Sequence, residues 1–231
     1  MKSKNIGMIV AVEINAVLNK YKNIKKIENK PYEIWLVETD DTNLFILKSG
    51  AGEIFASAST QYLILKYNVQ AIVNFGIVGA LVEDLKKDNV CLIKDIIHYD
   101  YDISQVDKVK VGRYLEYPSE YLEVDKNLLD IATKCYPDLR LVTCASGDKF
   151  VASDIQKQNM HSQFGAEICE MESAGIWLTC NRNNVPCLFI KAIADTLFGG
   201  ADEYWQNLNK SSEICLNILD TIIKNFWIQL V

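Results

Sequence analysis

The sequence has few histidines and no long hydrophobic segment. Only two histidines occur among 231 residues, and neither has a cysteine or carboxylate partner at the spacing of a metal site. The longest apolar stretch, residues 71–82, contains 12 residues, fewer than the ~20 that a membrane helix requires. We therefore expect no bound metal and no segment that crosses a membrane.

The sequence also has no excess of positive charge and no closely spaced pair of cysteines. Lys and Arg number 24 against 30 Asp and Glu, the opposite of the balance that favours contacts with nucleic acid phosphates. The seven cysteines include no C-x-x-C pair. Glu13 interrupts the first apolar run, where a signal peptide would have its cleavage site. We expect a cytoplasmic protein with reduced cysteines that binds no nucleic acid.

The hydrophobic pattern predicts strands that alternate with helices. Strand patterns, several of them continuous apolar runs typical of strands buried on both faces, occur at residues 6–12, 31–38, 43–48, 71–75, 90–97, 139–145, 166–169 and 187–194. Helical patterns occur at residues 54–65, 124–135, 154–163, 173–183 and 205–226. This alternation predicts one domain over residues 1–231, a three-layer α/β/α sandwich around a mixed sheet. The runs at 6–12, 71–75 and 90–97 are candidates for parallel strands.

A short glycine-containing loop has the setting of a phosphate site. Gly50, Ala51 and Gly52 follow a strand and precede a helix. Phe55 replaces the third glycine of the dinucleotide fingerprint, and residues 68–74 contain no carboxylate for a ribose. We therefore expect no nicotinamide cofactor. The glycines are interpreted as packing a strand against a helix or lining a site.

Carboxylates lie at the ends of two predicted strands. Glu170 and Glu172 follow a short strand, and Asp195 follows a long apolar one. Open α/β sheets bind ligands beyond the carboxyl ends of their strands. Partial desolvation there raises the pKa of a carboxyl group and suits it to deliver a proton. Asp195 is therefore a candidate catalytic acid, although a helix cap has the same pattern.

A family resemblance is carried by motifs along nearly the whole chain. These are IGMIVAVE at residues 6–13, NFGIVGA at 74–80, SGDKFV at 146–151, EMESA at 170–174 and KAIAD at 191–195. In order and spacing they resemble the purine nucleoside phosphorylase superfamily, and especially its 5′-methylthioadenosine/S-adenosylhomocysteine nucleosidase branch. The resemblance implies a homodimer with an α/β fold on a mixed sheet, a small nucleoside substrate and no cofactor.

The resemblance also implies roles around the base and the ribose. Asp195 matches the acid that protonates the five-membered ring of adenine, which makes adenine a neutral leaving group. Backbone groups of Val151 are expected to read the adenine edge, and Phe150 to stack on the base. Glu172 matches the carboxylate that holds the ribose 2′ and 3′ hydroxyls, with Met171 against the sugar.

The remaining pocket is expected to hold the 5′ substituent. Trp205, or alternatively Tyr204, occupies the position of an aromatic lid over the 5′-alkylthio group. Loop residues 99–117 are expected to complete this pocket across the dimer interface. The implied reaction hydrolyses 5′-methylthioadenosine or S-adenosylhomocysteine to adenine and a 5-thio-ribose, a step of methionine salvage.

The chain departs from the family pattern where the attacking water is held. The glutamate base of the family corresponds to Asn15, which can orient water but cannot take its proton at neutral pH. A serine and an arginine that help to hold the water correspond to Ile77 and Lys191. In an extended strand Glu13 shares the face of Asn15 but is displaced by ~6.5 Å. It replaces the base only if the loop rearranges.

Three functions remain open at this level. The first is hydrolysis, with Asp195 as the acid and Glu172 as the ribose anchor. The second is phosphorolysis, in which phosphate replaces water and no base is needed, although the chain offers no obvious arginine cluster for a phosphate. The third is a nucleoside-binding protein that retains the pocket without its nucleophile.

Overall fold

The computed structural model describes residues 4–39 and 41–226. The strands are β1 (Lys4–Val10), β2 (Lys25–Glu28), β3 (Glu33–Glu38), β4 (Thr42–Lys48), β5 (Ala71–Ala80), β6 (Val90–His98), β7 (Tyr121–Glu123), β8 (Arg140–Ser146), β9 (Ile168–Glu170) and β10 (Cys187–Asp195). The helices are α1 (Ile14–Lys20), α2 (Glu53–Tyr67), α3 (Ser104–Asp107), α4 (Lys126–Cys135), α5 (Asp154–Phe164), α6 (Ser173–Arg182) and α7 (Ala201–Phe226). Every predicted element has a counterpart, whereas α1, α3, β2 and β7 were not predicted.

The strands form one mixed sheet. β1 pairs in parallel with β4 and β5, and β5 pairs in parallel with β10. β10 also pairs with β6, so the path β10–β6–β8–β9–β5 returns to its start and closes part of the sheet into a ring. The antiparallel strands β2 and β3 extend the sheet beyond β4.

One predicted strand direction is wrong. Residues 90–97 were expected to run parallel to the strands at 6–12 and 71–75, but β6 runs antiparallel to β10 and therefore to β5. Only residues 81–89 connect β5 to β6. A parallel connection needs about a dozen residues or more, usually with a helix. An apolar run reports burial on both faces but carries no information on direction.

Helices cover both faces of the sheet. On one face, Leu63 of α2 and Ile176 of α6 pack against a cluster that includes Ile9 of β1. On the other face, Val17 of α1 and Leu219 of α7 pack against a cluster that includes the neighbouring strand residues Met8 and Val10. This arrangement confirms the α/β architecture with a mixed sheet between helices.

The end of β1 differs from the prediction in a way that changes the site. The strand ends at Val10 instead of residue 12, and the chain turns through residues 11–13. Glu13 is the N-cap residue of α1, with φ −85° and ψ 17°. Residues 13 and 15 therefore do not lie on one extended strand.

Candidate active site

A cavity that opens to solvent lies beside the carboxyl ends of β1, β5 and β10. Its lining includes most of the predicted site residues, namely Glu13, Ala51, Ile77, Phe150, Val151, Met171, Glu172 and Asp195. Three other predicted residues, Asn15, Lys191 and Trp205, are not among the residues that line it. The sheet edge predicted to hold the ligand is therefore where the cavity is.

Asp195 ends β10 as a buried side chain with two unlike oxygens. Its Oδ2 accepts a hydrogen bond from the Lys157 ammonium at 2.5 Å. Its Oδ1 is buried and has no hydrogen-bond partner among the described residues. Desolvation raises the pKa of this carboxyl group above its ordinary value, and the Lys157 ammonium opposes that effect. A buried acid with one unoccupied oxygen is suited to donate a proton to a bound molecule.

Glu172 is held in the cavity by the glycine loop. The backbone N–H of Gly52 donates to Glu172 Oε1 at 3.0 Å. Gly52 has φ +106°, a conformation that favours glycine, and it is the N-cap residue of α2. Burial, followed by the charge of Glu170, raises the pKa of Glu172 to about 8. Near neutral pH this carboxyl group can both donate and accept hydrogen bonds.

Glu170 and Lys191 form a buried ion pair behind Glu172. Lys191 Nζ lies 3.0 Å from Glu170 Oε2, and the Ser146 hydroxyl donates to Oε1 at 2.5 Å. Burial alone would raise the pKa of Glu170, but Lys191 and the Ser146 and Ser173 hydroxyls hold it below its ordinary value. Lys191 therefore acts as the counterion of Glu170, which explains why it does not line the cavity.

Another buried carboxyl group, Glu53, is not predicted by the sequence pattern. It begins α2, its carboxyl group is within hydrogen-bond distance of the Ser146 hydroxyl, and it accepts a hydrogen bond from the Gly175 backbone N–H. Burial, followed by the charge of Glu170, raises the pKa of Glu53 to about 8. Its position directly after Gly52 was the available signal, because a carboxylate is favourable at a helix N-terminus.

Glu13 is the residue of this segment whose carboxyl group lines the cavity. Its carboxylate accepts hydrogen bonds from the backbone N–H groups of Val12 and Ile77, each at 3.0 Å. Asn15 is exposed on α1 and does not line the cavity. The expectation that Asn15 stands at the water site is corrected by the turn at residues 11–13. Ile77 contributes its backbone N–H, and a Cβ at Gly76 would approach Glu13 Oε1 to 2.8 Å.

Tyr204 is the aromatic residue of α7 that lines the cavity. Its ring meets that of Phe150 edge to face, with 5.4 Å between centroids. Trp205 is 66% exposed, its ring contacts that of Tyr204, and it does not line the cavity of the single chain as predicted. Successive side chains on a helix point ~100° apart, so neighbouring residues can face the cavity and the surface. The alternative, Tyr204, is the one of the two that lines the cavity, and its role as a lid stays a prediction.

The loop between β6 and β7 lies outside this cavity in the single chain. His98 bonds Tyr114 through Nδ1 at 2.7 Å and Asp100 through Nε2 at 2.9 Å. No residue of 99–117 is among those lining the cavity in the described chain. Its completion of the pocket across a dimer interface stays a prediction.

Two classes of feature are not found in the described part of the chain. Residues 4–39 and 41–226 contain no group of three or more His, Cys, Asp or Glu side chains that could hold a metal ion. No helix within these residues is long and apolar enough to cross a membrane.

Similarity to known proteins covers almost the whole chain. The 5′-methylthioadenosine/S-adenosylhomocysteine nucleosidase of Buchnera aphidicola subsp. Baizongia pistaciae is 29% identical over 241 residues, covering 97% of this chain and 93% of that protein. The aminodeoxyfutalosine nucleosidase of Campylobacter jejuni is 27% identical and covers 79% of this chain and 81% of that protein.

Solved structures share the fold. A Helicobacter pylori 5′-methylthioadenosine/S-adenosylhomocysteine nucleosidase in complex with a propynylthiomethyl pyrrolidinol compound has a TM-score of 0.91 and 24% identity, covering 97% of this chain and 99% of that chain. The futalosine hydrolase of Helicobacter pylori has a TM-score of 0.89 and 24% identity, covering 96% of this chain and 97% of that chain. The family model of the phosphorylase superfamily matches residues 6–224, and this chain is therefore a member of the phosphorylase superfamily.

Proposed function

We propose that this protein is a nucleosidase that hydrolyses 5′-methylthioadenosine or S-adenosylhomocysteine to adenine and the 5-thio-ribose product. The observation that carries the proposal is one cavity lined by both a buried acid, Asp195, and a buried carboxylate, Glu13. Relatives with this activity in their names cover nearly the whole chain. The family resemblance further supports a cytoplasmic homodimer that acts in methionine salvage.

Asp195 is the proposed general acid. Its buried Oδ1 has no partner among the described residues and is free to carry the proton to N7 of adenine. Protonation turns adenine from a poor anionic leaving group into a neutral one. Phe150 and Val151 line the same cavity and are the proposed contacts of the base.

Glu172 is the proposed ribose anchor. Gly52 holds Oε1, which leaves Oε2 for the 2′ and 3′ hydroxyls, and Met171 lines the cavity beside it. As the glycosidic bond breaks, positive charge develops on the sugar. The hydrogen bonds between the ribose hydroxyls and Glu172 can then become stronger in the transition state than in the substrate complex.

Glu13 is the proposed base for the attacking water. It is an acceptor in the cavity, oriented by two backbone N–H groups. Asn15, which cannot serve as a base, is exposed and does not line the cavity, and this supports Glu13 in the role. Phosphorolysis is less well supported, since Lys149 is the only cation among the residues that line the cavity in the described chain.

Adenine release from both nucleosides, followed by chromatography with and without phosphate, tests the proposal. We expect release that does not require phosphate and that is lost in Asp195→Asn. Release only with phosphate would instead identify a phosphorylase. Binding of the nucleoside without any release would identify a binding protein. Aminodeoxyfutalosine belongs in the same assay, because relatives named for its cleavage cover about four fifths of the chain.

A further inference from the structure

Lys157 is a fully buried lysine next to the proposed acid. It lies on α5 with no exposed surface. Its Nζ lies 2.5 Å from Asp195 Oδ2, 2.6 Å from the Thr196 carbonyl and 3.1 Å from the Gly199 carbonyl. An ammonium group has three donors, so these acceptors use all of them. Burying a charge is costly unless it is paired and hydrogen-bonded, and here both conditions are met.

We propose that Lys157 is a positioning residue that fixes the Asp195 carboxyl group for proton transfer. This inference rests on the proposed function, because it assigns a role within glycosidic cleavage. The Lys157 ammonium occupies Oδ2, so the proton of the acid form resides on Oδ1, the oxygen without a partner among the described residues. Lys157 therefore determines which oxygen faces the base as a donor.

The chemical step balances with these groups. The proton on Asp195 Oδ1 passes to N7 of adenine as the glycosidic bond breaks and its electron pair stays on the base. Water adds to C1′ of the sugar and gives its proton to Glu13. The Asp195 carboxylate that remains is paired with the Lys157 ammonium until solvent returns a proton, and Glu13 releases its proton to solvent.

The same lysine connects the segments around the base. α5 begins three residues after Val151, and its first turn is capped by Ser153. The carbonyls of Thr196 and Gly199 belong to the connection between β10 and α7. A small displacement of the acid can lower a rate by ~10²-fold, so a fixed orientation has a direct effect on catalysis.

Other groups also face Asp195. Glu203 of α7 raises its pKa through charge, while its own Oε2 accepts from the Thr196 backbone N–H at 2.8 Å. Burial raises the pKa of the Cys169 thiol on β9 to about 12 and also raises that of the Tyr204 phenol, so both stay neutral at physiological pH. The opposing influence of Lys157 is therefore the one that favours the carboxylate.

The test is the pH profile of kcat for Lys157→Met, which keeps an unbranched side chain one atom shorter and removes the charge. We expect kcat to fall by ~10–100-fold from loss of orientation. A general acid works only while protonated, so activity falls as pH rises through its pKa. Without the ammonium this pKa is higher, and the alkaline limb moves to higher pH.

Two further variants separate positioning from structure. Lys157→Gln retains a donor for Oδ2 and should recover part of the rate. Lys210→Met removes an exposed lysine from α7 and should leave both the rate and the profile unchanged. A folded Lys157→Met or Lys157→Gln with the wild-type kcat and alkaline limb would overturn the proposal, as would failure of both variants to fold.

Calorimetry with adenine and 7-deazaadenine distinguishes this inference from the proposed function. An acid whose proton lies on Oδ1 donates to N7, so the wild-type protein should prefer adenine by about fivefold. Lys157→Met should lose that preference. If the wild-type protein releases no adenine but shows the preference, the proposed function fails while the placement of the Asp195 proton by Lys157 stands. No preference in the wild-type protein overturns the positioning role.

Discussion

The proposed acid, Asp195, and the proposed base, Glu13, are held in different ways. We call their surroundings the acid end and the water end of the site. Asp195 is fixed by the charged side chain of Lys157, and the pair is buried. Glu13 is fixed by backbone N–H groups, from Val12 and Ile77. The acid end therefore depends on particular side chains, whereas the water end depends on the path of the backbone. The side chain of Ile77 can vary in type without removing the N–H that Glu13 uses.

The largest effect is expected at the acid end. Asp195→Asn keeps the shape of the side chain but removes its acidic proton. Loss of a general acid typically lowers a rate by ~10²–10⁴-fold, and we expect kcat for adenine release to fall within that range. Substrate affinity should change by a few fold at most. If Asp195→Asn has nearly the wild-type kcat, Asp195 is not the acid and the comparison with Glu13 no longer holds.

A smaller effect is expected from the two neighbouring aromatic residues of α7, Tyr204 and Trp205. Tyr204→Ala should raise KM by ~10-fold, because the side chain lines the cavity and its burial is lost. Trp205→Ala is the matched control and should stay near the wild-type KM, since that ring is exposed. The reverse order of effects would restore the original prediction that Trp205 is the lid.

The buried carboxyl group of Glu53 should act on stability. Its pKa is raised to about 8, so the folded protein keeps a proton that the unfolded chain has released. Stability therefore falls as pH rises from the ordinary carboxyl pKa to about 8. Glu53→Gln should flatten this dependence, and its Tm relative to wild type should rise by ~2–4 °C or more between pH 5 and pH 9. Thermal unfolding across this pH range tests the direction of the change. Parallel curves of Tm against pH for the two proteins would contradict the prediction.

The smallest effect is expected at residue 15. Asn15→Glu places a carboxylate on the exposed side of α1, away from the cavity. Adenine release should stay within twofold of wild type. A large gain in turnover would mean that a base is missing from the site and that residue 15 supplies it.

The sequence predicted the acid end better than the water end. Glu172 and Asp195 lie at strand ends that apolar runs locate well, and both line the cavity. The water end failed because the position of Glu13 depends on where β1 stops, and strand ends are poorly determined by hydrophobic pattern. β1 ends two residues earlier than predicted, and Asn15 therefore lies on α1, where it is exposed.

Other parts of the site had no local signal. Lys157 lies 38 positions from Asp195, so their pairing depends on how α5 packs against β10. Glu170 was noted as a carboxylate at a strand end, but its pairing with Lys191 was not foreseen. The direction of β6 and the closure of the strand ring also depend on tertiary contacts.

The most direct test of the account is phosphate-independent adenine release by Glu13→Gln beside the wild-type protein. Glutamine keeps the size of the side chain and its acceptor oxygen but cannot take a proton from water near neutral pH. We expect the wild-type protein to release adenine without phosphate and Glu13→Gln to do so ~10²–10⁴-fold more slowly. Equal rates for the two proteins would contradict the assignment of Glu13 as the base.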